Sequence, residues 1–441
     1  MLFSTHGLRL QYRTGDGARE GRGAPRHLPW LPRGDLRRWQ LEAVNALLAH
    51  ARDFVPFYRD RLPGGPLRTL GELSLIPPFG REEAIAADTQ LYSRATAGMR
   101  LLRLTTGGTT GPRLEVRCTS AAVHRHYAAF SRFRDWIGIG GDARVAVFVG
   151  SHTFPAANRS RGAWMADAGA LVCASDMLGS ESLAAYVERL VAFAPSVIDS
   201  YPSSIEAIAR FMRWRGDDRL RPATIITSAE PLTPSARRVI EETFGCPVFD
   251  HYGHAEMAAF ITQCRAGSYH INADYGVVEL LRDGVPAQPG EAGEIVATGF
   301  VNYAMPLIRY ATGDWAIAGR PTCACGRTFP TVGRIIGRRA DIVTTRTGEL
   351  LLHLDPAFKR APEFLETRIV QDAPDHLVVE AVTNGALDPL QATTLLGDLR
   401  AQVGPSVRAD LRCVPRLPRT PSGKMRAVIR TDPHPGFGAR T

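Results

Sequence analysis

"ATIITSAEPLTPSARRVIEETFG", residues 223–245, is a short β-rich run followed, after a polar break, by a helical one. The same alternation precedes it: "ARVAVFVG" (143–150) before a loop, "GALVCAS" (169–175) before "ESLAAYVERLVAF" (181–193), and "SVIDS" (196–200) before "SSIEAIARFMRW" (203–214). Strand and helix in turn predict parallel βαβ units, hence an α/β fold. Working outward, residues 1–35 are rich in Arg, Gly and Pro with little periodicity and read as an extended or partly disordered arm. Residues 36–336 form a large N-terminal domain, opened by the helical spacing of "DLRRWQLEAVNALLAHARDFVPFYRDRL". Within it, residues 268–335 change character: "YGVVELL", "GEIVATG" and "DWAIAG", separated by Gly and Pro turns, predict an antiparallel β subdomain. Residues 337–441 make a small α+β domain with a strand at "HLVVEAVT" and a helix at "LQATTLLGDLRAQVG". The chain shows no internal repeat and no coiled coil.

With 441 residues, 44% apolar and 22% charged, the chain has the composition of a soluble globular protein of two or more domains. Its formal charge of +9 raises nucleic acid as a partner. The arginines are scattered, however, with no basic run and no interleaved aromatic stripe, which argues against one. No stretch approaches the roughly 18 apolar residues of a membrane span, and the first twenty residues lack an apolar signal core, so the expectation is a cytoplasmic protein without membrane attachment.

Seven cysteines in that setting argue against a disulfide framework. Cys118, Cys173, Cys246 and Cys413 stand alone and are expected as small core residues. Cys264 and His270 (C-x5-H) and Cys323 and Cys325 (C-x-C) bracket the β subdomain. Three thiolates and an imidazole make a tetrahedral zinc set that leaves no open position, so its role would be structural. The alternative is a reduced pair of turn cysteines beside a hydrogen-bonding histidine.

"LRLTTGGTTGPRLEV" (101–115) places four threonines and three glycines between apolar flanks. Glycines let such a loop wrap an anion with its N–H groups pointing inward, and hydroxyls add donors, which suits phosphate. Alone it fits an ordinary hairpin turn as well, and it lacks the G-K-[ST] ending of a P-loop. The ordered series of segments C-terminal to it is more specific: "SAEPLT" (228–233), "DHYGHAEMA" (250–258), "PLIRYATGDW" (306–315), "GRIIGRRADIVTTRTGELL" (333–351) and "LPRTPSGKMRAVIR" (417–430). The last contains Lys424, one of two lysines among 53 basic residues, the other being Lys359. A compact ammonium on a flexible stem reaches one oxygen at a reaction centre in a way that the planar arginine fork does not.

From about residue 45 to about 430, this series resembles the adenylate-forming superfamily of acyl-CoA synthetases and adenylation domains, and most closely its phenylacetate–CoA ligase branch with the CapK-like relatives. The resemblance implies a large N-terminal adenylate-forming domain with parallel sheets and a β subdomain, and a small mobile C-terminal domain carrying Lys424. It implies activation of a carboxylic acid with ATP to an acyl-adenylate, with release of pyrophosphate, then transfer to CoA, a carrier-protein thiol or an amine. Thr105, Thr106, Gly107, Gly108, Thr109, Thr110 and Gly111 would hold the β- and γ-phosphates, with Arg113 where the family usually has a lysine. Glu256 would bind Mg²⁺; outside the series it reads as a surface carboxylate. Ala229, Glu230 and Pro231 would line the adenine, with Tyr252 and Gly253 beside it, and Asp314 would accept from the ribose hydroxyls. Lys424, Glu256 and Arg309 are the catalytic candidates, with Arg309 and Arg338 in the ribose and α-phosphate region. Similar cysteine and histidine positions in this branch support the structural zinc. Ala340 stands where relatives carry an acidic or polar hinge residue. His251 and His254 either face the carboxylate or acceptor, or fill their loop. An inactive, zinc-stabilised binding protein of the same fold is the competing reading.

Overall fold

The structure, a computed structural model, describes residues 26–105, 113–150, 154, 156–159, 162–167, 169–339, 342–344, 350–351, 354, 364–383, 385, 388–404, 407–420 and 423–431. Residues 1–25 of the arm, Thr106 to Gly111 of the Gly/Thr loop, Ala340 and Lys359 lie outside the described residues.

In chain order, α1 (Arg33–Phe54) and α2 (Arg81–Ala87) precede β1 (Leu102–Thr105), β2 (Glu115–Cys118) and α3 (Ser120–Ile137). Next come β3 (Val145–Val149), β4 (Trp164–Asp167), β5 (Ala170–Ala174), α4 (Leu183–Phe193), β6 (Val197–Ser200), α5 (Pro202–Arg215), β7 (Thr224–Ser228) and α6 (Pro234–Phe244). Strands β8 (Val248–Gly253), β9 (Phe260–Gln263), β10 (Tyr269–Ile271), β11 (Gly276–Arg282), β12 (Val285–Pro286), β13 (Ala292–Gly299), β14 (Tyr310–Ala318) and β15 (Thr331–Arg338) succeed them without a helix between. The chain then gives β16 (Val343–Thr344), β17 (Leu350–Leu351), β18 (Phe364–Ala373), β19 (His376–Thr383), α7 (Pro389–Val403), β20 (Arg408–Cys413) and β21 (Val428–Arg430). No helix among the described residues is long and apolar enough to cross a membrane.

The chain divides into two units. The first comprises residues 1–144, 168–170 and 249–336. Its strands lie in the order β12-β11-β13-β14-β15-β10-β9-β8, and β8–β9, β9–β10, β10–β15, β11–β12, β11–β13 and β13–β14 pair antiparallel. Ile261, Ile271, Ile295, Val332 and Ile335 of these strands are buried in one cluster. β1 and β2 form a separate antiparallel hairpin with Thr105 opposite Glu115. Within the arm, Leu28–Trp30 form a 3-10 turn, because Leu28 is buried with Leu36, Ala273 and Phe329.

The second unit comprises residues 145–167, 171–248 and 337–441. Here β7-β6-β3-β5-β4 lie side by side, with β6–β7, β3–β6 and β3–β5 parallel, as the strand–helix alternation predicts. Strands β3, β5, β6 and β7 are buried at every residue, the pattern of a parallel sheet covered on both faces. A four-stranded sheet in the order β20-β19-β18-β21 carries α7 through Leu395, Leu399 and Val403. Leu365, Val382 and Leu417 join the core formed by α4, α5 and α6. One cysteine departs from expectation: Cys118, Cys173 and Cys246 are buried, but Cys413 is exposed, because it ends β20 at the edge of its sheet.

Candidate active site and metal cluster

In the first unit, the motif segments fall on β8, β14 and the turns beside them. Six described non-glycine residues have positive φ, and Met257 (55°) and Arg309 (52°) are two of them, each within a motif. Backbone held in that region concentrates at functional sites. Tyr252, on β8, donates its hydroxyl to Asp314 Oδ2 at 2.8 Å, and Asp314 N–H donates to Thr312 Oγ1 at 3.1 Å. Burial, and then the negative charge of Asp314, push the Tyr252 phenol well above its ordinary range, so it remains a donor. Asp314 itself sits within β14 rather than in a turn. At Gly253 a Cβ would lie 3.1 Å from the Phe260 ring on the neighbouring strand.

Glu256 is buried, not a surface carboxylate. Its Oε1 accepts from the Tyr310 hydroxyl at 3.4 Å and its Oε2 lies 3.2 Å from His254 Nδ1. His254 thus faces the carboxylate of Glu256, whereas His251 is ringed by Phe130, Phe133 and Phe260. Arg309 is held more tightly than its place in the motif suggests. Its Nε and Nη2 donate to the two oxygens of Glu279 at 2.9 and 3.0 Å, and Nη1 donates to the carbonyls of Ile76 and Ser74 at 2.6 and 3.3 Å. Every guanidinium nitrogen is engaged within the protein. Thr105 ends β1 with an exposed side chain, and Arg113 is exposed after the loop.

The second unit brings three motif segments together. Ala229 has φ 71°, which turns the chain after β7 and presents Glu230 and Pro231. A Cβ on Gly337 would lie 2.8 Å from Pro231 Cγ, and Gly337 itself has φ 98°, so this position near the end of β15 favours glycine; Arg338, the last residue of the strand, is exposed. Met425 N–H donates to Glu230 Oε1 at 2.6 Å, which sets Lys424, the preceding residue, near this segment. Gly423 (φ 82°) approaches so closely that a Cβ would fall 2.7 Å from Gly150 Cα, at the end of β3.

Back in the first unit, the donor atoms of Cys264, His270, Cys323 and Cys325 all lie within 4.8 Å of one another. Cys264 Sγ is 3.6 Å from Cys323 Sγ, and Cys325 Sγ is 3.3 Å from His270 Nε2. Sulfur ligands bonded to a tetrahedral cation at about 2.3 Å stand roughly 3.8 Å apart, so the residues fit such an ion. His270 Nδ1 lies 3.1 Å from the Phe329 carbonyl; its N–H donates there, leaving the Nε2 lone pair toward the cysteines. Burial lowers the His270 pKa and favours the neutral ring that a metal requires. Behind it, Arg132 on α3 forms a bidentate pair with Asp274 (2.6 and 2.7 Å) and lies over Trp136 and Phe329. Trp136 meets the His270 ring edge-on at 6.0 Å. Sequence reasoning misses this supporting layer, since one arginine among so many carries no mark.

Residues 342–431 match the family model of the CapK C-terminal domain. Protein CapK of Staphylococcus aureus is 27% identical over 339 residues, covering 75% of this chain and 74% of that protein. The phenylacetate–coenzyme A ligase of Thermus thermophilus is 29% identical over 363 residues, covering 72% and 74%. The chain is a homologue of CapK and the phenylacetate–CoA ligases. Its fold is that of the adenylate-forming CoA ligases: 2-hydroxyisobutyryl-CoA ligase, solved in the postadenylation state with R3-HIB-AMP, superposes with a TM-score of 0.73 over 93% of this chain and 94% of its own, at 20% identity. Within that fold, the chain has acidic residues at Glu256 and Asp314 and a lysine at 424.

Proposed function

We propose that this chain joins a carboxylic acid to CoA through an acyl-adenylate. A carboxylate oxygen attacks the α-phosphorus of ATP, the bond to the pyrophosphate oxygen breaks, and pyrophosphate leaves. The CoA sulfur then attacks the acyl carbon, its proton passes to solvent, and AMP departs. The observation that carries this reading is the hydrogen-bonded pair Tyr252–Asp314 with the buried Glu256 in the first unit, in a chain homologous to phenylacetate–CoA ligases. Asp314, fixed by Tyr252, accepts from the ribose hydroxyls, while Ala229, Glu230, Pro231, Tyr252 and Gly253 border the adenine. Thr105 to Gly111 wrap the β- and γ-phosphates, and Arg338 reaches the α-phosphate region. Arg309 acts as a positioning residue, because its guanidinium ties the segment before β14 to Glu279. Glu256 holds Mg²⁺, which when bound supplies charge neutralisation for the departing pyrophosphate. Cys264, His270, Cys323 and Cys325 hold a structural Zn²⁺. Residues 337–441 act as the C-terminal domain that delivers Lys424.

The test is ATP–pyrophosphate exchange with a panel of carboxylic acids, then measurement of AMP release on adding CoA, a carrier-protein thiol or an amine. Acid-dependent exchange with CoA-dependent AMP release is the expected result. Exchange with release by an amine alone moves the acceptor to amide formation. Exchange with no acid in the panel leaves an inactive binding protein and overturns the reading.

A further inference from the structure

Glu230, one of the proposed adenine-bordering residues, also has its partly buried carboxylate built into a charge cluster of the second unit. Oε2 accepts the Ser203 N–H at 3.0 Å, at the start of α5, where the helix favours negative charge. Oε1 accepts the Ser203 hydroxyl at 3.1 Å as well as the Met425 N–H. The same hydroxyl accepts from Arg419 Nη1 at 2.9 Å, and Arg419 Nη2 donates to Glu366 Oε1 on β18. The side chains of Arg419 and Glu366 are only 2% and 7% exposed. One guanidinium therefore serves two carboxylates, Glu366 directly and Glu230 through Ser203. Thr420 is tied to Gly423 and Lys424: Thr420 N–H donates to the Lys424 carbonyl, Gly423 N–H to the Thr420 carbonyl, both at 2.8 Å, and Lys424 N–H to Thr420 Oγ1 at 3.2 Å.

We propose that Arg419, Glu366 and Ser203, with Glu230, form a clasp that positions Lys424 by fixing Gly423–Met425 against the start of α5 and the end of β3. The proposal deepens the adenylation reading and rests on it for its activity arm. Its chemistry is suited to reversible fastening. Arg419 and Glu366 belong to the same 337–441 segment and remain paired when Gly423–Met425 is released, so that pair strands no charge. The bonds that break are those from Arg419 to Ser203 and from Met425 to Glu230. Truncating one partner of such a pair strands the other, so the clasp fails as a unit. Because Glu230 is itself one of the proposed adenine-bordering residues, a seated nucleotide and a docked Lys424 segment reinforce one another.

The test uses the full chain carrying Arg419→Met or Glu366→Gln; the second keeps side-chain shape and serves if the first does not fold. Amide hydrogen exchange over residues 417–426 is expected to accelerate about tenfold or more, with protection of α5 and β7 unchanged. In the exchange assay, kcat for adenylate formation should fall about tenfold while KM for ATP stays within about twofold, and transfer from a supplied acyl-adenylate should be unaltered. In a Lys424→Ala background the same substitutions should cause no further loss, since coupled positions are not additive. Unchanged protection at 417–426 in a folded variant, or additive losses in the double variant, overturns the clasp. If the wild-type chain forms no adenylate, the adenylation reading fails while the amide-exchange arm still decides the clasp.

Discussion

Lys424 follows a glycine that touches the end of β3 and precedes a residue bonded to Glu230, so its position is set by backbone contacts on both sides. An ammonium bridging the attacking carboxylate and the α-phosphate strengthens its hold as charge develops, which lowers the barrier. Lys424→Ala should reduce adenylate formation by roughly 10²-fold or more, and transfer from a supplied acyl-adenylate should stay near wild type; equal loss in both steps would show a shared or folding role. Glu256→Gln keeps the shape but removes the charge next to Tyr310 and His254, so exchange at limiting Mg²⁺ should be nearly abolished with the melting temperature little changed. Activity equal to wild type under those conditions would remove the magnesium role. Most of these positions are legible in the sequence because they lie in ordered motifs. Arg419 and Glu366 are not: Arg419 is one of many arginines, and its partner lies on a distant strand. The available signal is an acidic residue inside the apolar run "FLETRIV", where a solvent-facing strand would not bury its neighbours.

At the scale of elements, the turn carrying Lys424 tolerates no side chain at position 423. Gly423→Ala meets both a left-handed φ and the backbone of Gly150, so it should lower adenylation about tenfold or more while leaving the four-stranded sheet folded by circular dichroism. On that sheet, His376 bonds Asp410 at 2.9 Å and Asp372 at 2.6 Å. The bond to Asp410, with a further contribution from that to Asp372, raises the imidazole above its ordinary pKa. A raised folded-state value means the stabilisation is complete below the unfolded pKa of about 6.5 and is lost as pH climbs through the raised value. The melting-temperature difference between wild type and His376→Gln should therefore be larger at about pH 6 than at about pH 9; a difference that grows with pH would refute the assignment. Strands and helices here are readable because periodicity survives in a single sequence, as in β19 and α7. The pairing of Pro231 with Gly337 is not, since a close backbone approach leaves no periodic trace.

For the molecule as a whole, the Cys264, His270, Cys323 and Cys325 cluster predicts one zinc per chain by metal analysis, and Cys325→Ser should lose it and lower the melting temperature by about 5 °C or more. Purified protein without zinc, never exposed to chelator, would leave only reduced cysteines beside a histidine. The α/β and β-rich parts are legible as composition changes along the chain. The way the 337–441 segment shares a core with α4, α5 and α6 is not, because Leu365, Val382 and Leu417 look like any strand or loop apolar residue. The exposed edge cysteine has a practical meaning. With Cys118, Cys173, Cys246 and Cys264 buried and Cys323 and Cys325 held in the cluster, Cys413 offers a thiol for a fluorescent maleimide without engineering, and its emission would report in real time on the surroundings of this sheet as substrates arrive.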